Sequence, residues 1–177
     1  MNEASPSLRS MWSDKPSNPQ ESSLSSLPHK RLLTPRRLDL AVKWRFFGHL
    51  LGGNDPDSER VYRWHIEERS GTRMRAGMAT DQWKRSVDDY VNAAGELARS
   101  MKVHGFKEDW PVMLDPDGEL LGGAHRVACA LALGLERIVV NYSRYVVWAP
   151  PWGRPWFVIH GMSDADLERL DLDWERM

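Results

Sequence analysis

Apolar positions along this chain change period several times, and those changes mark its elements. After Thr34-Pro35, Leu40, Trp44, Phe47 and Leu51 recur at helical spacing, with Arg36, Arg37 and Lys43 mostly off that stripe. Threonine followed by proline is a helix start, and Gly52-Gly53-Asn54-Asp55-Pro56 is a stop. From Val61 to Glu67 the period falls to two. Tyr62, Trp64 and Ile66 share one face while Arg63, His65 and Glu67 share the other, which predicts a half-buried strand. An irregular stretch over 69–79 follows, and Thr80 then caps the clearest helix of the chain. Its apolar face is Trp83, Val87, Tyr90, Val91, Ala94, Leu97, Ala98 and Met101.

Beyond that helix, Pro111-Val112-Met113-Leu114 reads as a strand, Asp115-Pro116-Asp117-Gly118 as a turn and Glu119-Leu120-Leu121 as a second strand. Gly122-Gly123 leads directly into a helical run from Ala124 to Leu133, closed by Gly134. Residues 137–140 and 145–147 read as further strands, and Ser163 with Asp166 three residues on opens a last short helix. The fold class expected is α/β in the broad sense (α+β), a small mixed sheet with helices packed on it. Residues 1–29, rich in Ser, Pro, Asn and Gln, are expected to be a disordered tail, and 30–177 a single domain.

Composition narrows the class without naming a chemistry. With 177 residues, 41% of them hydrophobic and 28% charged, the chain suits one globular domain. It has no stretch of roughly 18 apolar residues and no apolar signal region, so a cytoplasmic protein without membrane contact is expected. Its one cysteine, Cys129, rules out an intrachain disulfide, and its histidines lack metal-type spacing, so no metal site is expected within the chain. The net charge of -1 argues against a surface built for nucleic acid. Charge is uneven, however: residues 1–50 carry eight Lys/Arg against four Asp/Glu, and residues 163–177 six acids against two arginines. The cluster Arg36, Arg37, Lys43 and Arg45 is expected to be a solvated helix face.

The candidate chemistry lies at the glycine pair. A helix that starts at Gly122-Gly123 points its first unpaired N–H groups, around Gly123 to Arg126, outward with positive dipole potential. Glycine lets an anion approach the backbone, while Arg126 offers a fork of donors and His125 a further donor. Gly122, Gly123, Ala124, His125 and Arg126 therefore form a candidate phosphate-binding corner. The plainer alternative is a simple helix start with His125 satisfied by backbone. Nine tryptophans are a heavy load, and Trp148, Trp152 and Trp156 share one proline-rich segment with Arg154. That segment is either a stacking platform, with Trp152 and Arg154 touching substrate, or a hydrophobic lid.

The run from Trp83 to Val140, and above all PVMLDPDGELLGGAHRVACALALG, resembles the ParB/sulfiredoxin superfamily. That family joins an amphipathic helix and a two-strand hairpin to a Gly-x-His-Arg-like box at the next helix. The resemblance implies nucleotide phosphate held at the box. Where a sulfiredoxin has its catalytic cysteine this chain has Ala124, and no DNA-binding domain of the chromosome-partitioning type follows the box. The free serine kinase branch is the one the chain is most similar to. It implies a phosphotransferase that uses ATP or ADP with Mg²⁺ and acts on the hydroxyl of a small metabolite such as an amino acid, sugar or polyol. In that branch an acidic residue ahead of the box acts as base, and His65-Ile66-Glu67-Glu68 stands in about that place. The expected catalytic residues are then Glu67 or Glu68 with His125, and His65 beside the substrate. The plainer alternative for Glu67 is an ion pair with Arg63 or Arg69. For the chain as a whole, the alternative is a non-catalytic binder of a nucleotide or phosphosugar.

Overall fold

The computed structural model describes residues 24–75, 84–144 and 151–177, with side chains of 72–75 excepted. The mixed α+β class is as expected. Among the described residues four strands form one sheet: β1 (Ser25–Pro28), β2 (Val112–Leu114), β3 (Leu120–Gly122) and β4 (Arg137–Tyr142). Their order is β1-β4-β2-β3. β2 and β3 are the antiparallel hairpin read from the sequence, while β2 and β4 run parallel and β1 closes on β4 antiparallel. The hairpin turn is tied by Asp115, whose Oδ1 accepts from the N–H groups of Asp117 at 2.9 Å and Glu119 at 2.8 Å. Ser25–Pro28 belonged to the expected tail. Its strand pairs Ser26 with Val139 and Leu27 with Ile138, so these four residues are part of the sheet and not of a disordered tail.

Among the described residues there are six α-helices: α1 (Asp39–Leu50), α2 (Asp57–Arg75), α3 (Val87–His104), α4 (Ala124–Ala132), α5 (Arg154–Ile159) and α6 (Asp164–Arg176). α1 is central, lying against α2, α3, α4 and α6. Thr34-Pro35 opens a 3₁₀ turn, Pro35–Arg37, and α1 begins just after it. α3 begins at Val87 under a full capping box, in which Ser86 accepts from Asp89 N–H and Asp89 accepts from Ser86 N–H. The expected cap Thr80 and the residue Trp83 lie outside the described residues, as do the strand at 145–147 and Trp148. α6 begins as expected, with Ser163 Oγ accepting from Asp166 N–H.

The largest correction is α2. The expected strand from Val61 to Glu67 is the middle of a 19-residue helix. Ser58, Val61, Tyr62, His65 and Ile66 are buried, which is the i, i+3, i+4 stripe of a helix. Period two and period 3.6 share several positions over seven residues, so the alternation of Tyr62, Trp64 and Ile66 misled. The ion pairs decide it: Asp57 with Arg60 at 2.6 Å and Glu59 with Arg63 at 2.7 Å, spaced i,i+3 and i,i+4. A second correction follows in the Trp/Pro segment, where residues 154–159 are helical, with Pro155 in the first turn.

Third, Arg37 and Lys43 are not on a solvated face. Arg37 is 4% exposed and Lys43 fully buried, and both clasp the buried Asp39. Arg37 donates Nε to Oδ1 at 2.8 Å and Nη2 to Oδ2 at 3.0 Å, while Lys43 Nζ donates to Oδ2 at 2.6 Å. Arg37 Nη1 also donates to Leu120 O at 2.7 Å, and Asp39 N–H to Trp152 O at 3.3 Å, so this cluster ties α1 to β3 and to the loop before α5. Burial alone would raise the Asp39 carboxyl; Arg37 and Lys43 overcome it and hold the group well below the usual carboxylate range. Removing one partner from a buried ion cluster strands the others without compensation. Asp39→Ala should therefore cost about 3–5 kcal/mol of folding free energy, read as a lowered urea midpoint. A variant that unfolds at the wild-type midpoint contradicts this account of the cluster.

Candidate functional site

The sequence motif opens onto a real cleft. A cavity of about 440 Å³ lies between α3 and the start of α4, and Gly123, Ala124, His125 and Arg126 all line it. Tyr90, Glu96, Leu97 and Ser100 form its α3 wall, with Lys84 and Trp110 at its ends. Gly123 is the N-cap of α4 at φ +93°, left-handed backbone that favours glycine, and no side chain caps the helix. An added Cβ at Gly123 would stand 2.9 Å from the Arg126 guanidinium and 3.1 Å from Val112. Tight packing as well as conformation thus fixes glycine here. Gly122 is the last residue of β3, one step back from the cleft lining.

His125 is not a charged donor at this helix start. Its ring is enclosed by Phe47, Tyr62 and Tyr90, and Nε2 shares a 2.8 Å hydrogen bond with Tyr62 Oη. Burial, then Lys43, Arg69 and Lys84, push its pKa well below the usual 6.5, and only Asp39 acts the other way. His125 is therefore a neutral imidazole in a positive field. That field, and not a charge on His125, makes the start of α4 attractive to an anion.

Arg126 is also placed differently. Its Nη1 donates to Pro111 O at 2.7 Å and to Trp110 O, and its guanidinium stacks 4.4 Å from the Trp110 ring centroid. The side chain holds the strand entrance as well as lining the cleft. Burial lowers its pKa.

The remaining expected residues do not gather at the box. Glu67 and Glu68 are exposed on α2, and neither lines the cleft. Two helical residues two positions apart point to roughly opposite sides, so Glu67 does not share a face with His65. His65 is fully buried beside Trp156 and Phe157, removed from solvent and any substrate. Lys43 Nζ lies 3.3 Å from its Nε2, and an ammonium can only donate, so His65 carries its proton on Nδ1. That Nδ1 has no hydrogen-bond partner. Arg154 pairs with Asp171 at 3.0 Å on the surface. Trp152 is nearer: both Arg37 and Arg69 lie over its ring, at 5.2 and 5.5 Å. Cys129 sits in the core, its thiol pushed up to about 12 by burial.

Several functional-looking residues escaped the sequence reading. Arg69 donates to Tyr90 Oη at 3.3 Å and lies over the Tyr90 ring, and among the described residues it meets no carboxylate. Lys84 lies 4.7 Å from the same ring centroid. Glu96 and Ser100, one helical turn apart, carried a signal in the polar side of the α3 pattern next to Leu97.

Two neutral histidines, His65 buried and His125 half-buried in the cleft wall, make stability depend on pH. His65 is held down by burial and by Lys43, Arg69 and His125 against Asp39, and His125 by burial and by Lys43, Arg69 and Lys84 against Asp39. Both pKa values are lowered on folding, so the unfolded chain binds more protons as pH falls through 6.5. Stability should be full above pH 7 and decline below 6.5, by about 1.4 kcal/mol per pH unit for each histidine. Urea unfolding at pH 7.5, 6.0 and 5.0 reads the slope, and His125→Asn should remove about half of it. A flat profile contradicts neutral burial.

No family model, curated protein or solved structure gives a significant match to this chain, so the chemistry of the cleft rests on its own residues.

Proposed function

We propose that the cleft binds a phosphate-bearing small molecule, in the fullest reading a nucleotide with Mg²⁺, whose phosphates lie at the start of α4. One observation carries this: the uncapped N-terminus of α4 opens into a 440 Å³ cleft whose surrounding charge is dominated by Lys43, Arg69 and Lys84. Oriented N–H groups and a positive field favour an anion there. Phosphates need many donors and little space beside the backbone, and Gly123 supplies that space.

Transfer of a phosphoryl group to a small metabolite's hydroxyl is the fuller function. The hydroxyl oxygen would bond to the terminal phosphorus, the bridging P–O bond would break, and the hydroxyl proton would pass to a base. Glu67 and Glu68 are poorly placed for that. His125 lines the cleft, and that placement is what supports it as the proton acceptor. Glu96 is the carboxylate that would hold Mg²⁺, an ion that takes one or two carboxylates together with substrate phosphates. Among the described residues no group of three or more His, Cys, Asp or Glu side chains is placed to hold a metal ion.

Ala124→Asp tests the anion site with little harm to the fold. An aspartate in the first turn of α4 favours the helix and puts a negative charge where phosphate would sit. Calorimetry with ATP and Mg²⁺ should show affinity falling at least about tenfold, with thermal stability unchanged or raised. Wild-type affinity in the variant, or no binding of ATP, ADP, CTP or tripolyphosphate to wild type, overturns the reading.

A further inference from the structure

Trp110 is one of the few large apolar side chains left open to solvent, 54% exposed, and it stands where two cavities meet. The cleft at α4 is lined by Trp110, Arg126, Leu97 and Ser100. A smaller cavity of about 60 Å³ is lined by the same four residues together with Met101, Gly105, Phe106 and Lys107. The two cavities share those four residues, and at the smaller one Leu97, Met101, Phe106 and Trp110 gather beside the cations Arg126 and Lys107. Such a groove matches a ligand with an anionic end and a flat apolar end.

We propose that Trp110 is the platform on which the ring of the bound molecule stacks, and that Arg126 serves the ring end of the ligand and not its phosphates. Arg126 holds the indole in two ways. Its guanidinium lies on the ring 4.4 Å from the centroid, and its Nη1 donates to the carbonyls of Trp110 itself and of Pro111. One position is thus gripped through side chain and backbone together, which fixes the plane of an exposed tryptophan before a ligand arrives. A stacked cation also strengthens the platform, since cation, indole and base can form a continuous pile. The planar group we assign to this groove is a nucleobase, because a nucleotide joins a flat ring to a polyphosphate. A phosphosugar would fill the cationic end and leave the apolar slot empty. Arg126 is here a positioning residue. The phosphates are left to the α4 backbone and the cations around it.

This inference rests on the phosphate site proposed above, and its test separates the two. Calorimetry compares ATP, tripolyphosphate and ribose 5-phosphate on wild type, Trp110→Ala, Trp110→Phe and Arg126→Lys, with thermal melting as a check of fold. Wild type should bind ATP at least about fivefold more tightly than tripolyphosphate, the range expected for base stacking. Trp110→Ala should remove that difference and leave tripolyphosphate affinity unchanged, while Trp110→Phe keeps it. Arg126→Lys, which cannot form the flat stacked brace, should lower ATP affinity but not that of tripolyphosphate. Equal affinity of wild type for all three ligands, or an unaltered ATP preference in Trp110→Ala, overturns the ring platform alone. A loss of tripolyphosphate binding in Arg126→Lys overturns the positioning role of Arg126. Absence of binding by ATP and tripolyphosphate to wild type overturns the phosphate site and this inference with it.

Discussion

Asp39 holds two cations in the interior, and much of the architecture follows from that. A carboxylate with no exposed surface is tolerable only when its charge is matched at hydrogen-bond distance, and Arg37 and Lys43 supply three contacts of 3.0 Å or less. Each cation then commits its own neighbours. Arg37 reaches Leu120 O in β3 and lies under Trp152, while Lys43 fixes the tautomer of His65 in α2. The backbone N–H of Asp39 donates to the Trp152 carbonyl. One acidic residue at the first position of α1 therefore sets how α1, α2, the hairpin and the loop before α5 meet. Lys43 shows the cost: burial pulls its pKa from 10.5 to about 8, an effect that Asp39 only partly offsets.

The same cluster acts on the cleft through His125, whose pKa Lys43 and Arg69 lower and Asp39 raises. Lys43 and Arg69 act on His65 in the same direction, and Arg37 and Arg69 both act on Lys43. Cations near an uncapped helix start do two things. They keep both histidines neutral, and they raise the potential where α4 opens. Tyr62 links these parts. Its hydroxyl meets His125, its ring stacks on Phe46 at 4.2 Å, and burial raises its pKa, so it stays a protonated phenol. The core that stabilises the fold and the groove offered to a ligand are thus two sides of one layer.

Elements with local chemical signatures were legible in the sequence. The hairpin was marked by Asp115-Pro116-Asp117-Gly118, the start of α4 by its glycines, and α6 by Ser163 and Asp166; all three are found. Where one stretch satisfied two periods, pattern alone failed, and α2 is the example. Its acidic first turn and its Asp57/Arg60 and Glu59/Arg63 spacings were the better guide, because they depend on 3.6 residues per turn and not on burial. The misplaced period also misplaced Glu67 and Glu68. Burial of Arg37 and Lys43 was not legible, since the partners that admit a charge to the interior are set by tertiary contact. At the box, four of the five residues that the motif singled out, Gly123 to Arg126, line the cleft, while what His125 and Arg126 bond to was not legible.

Strand β1 gives the sheet a particular border. Without Ser25–Pro28, the outer edge would be β4, a six-residue strand containing Ile138, Val139 and Val140. Such an edge offers a row of unpaired N–H and C=O groups to any other extended chain. Four residues that include two serines and a proline occupy it instead, fastened by Arg137 reaching Ser26 Oγ at 3.0 Å. The substitute edge is short and polar, and its proline lacks a donor for further pairing. Ser25–Pro28 thus replaces a border open to further pairing with one that offers fewer donors, and it does so with a segment that contributes little to the core.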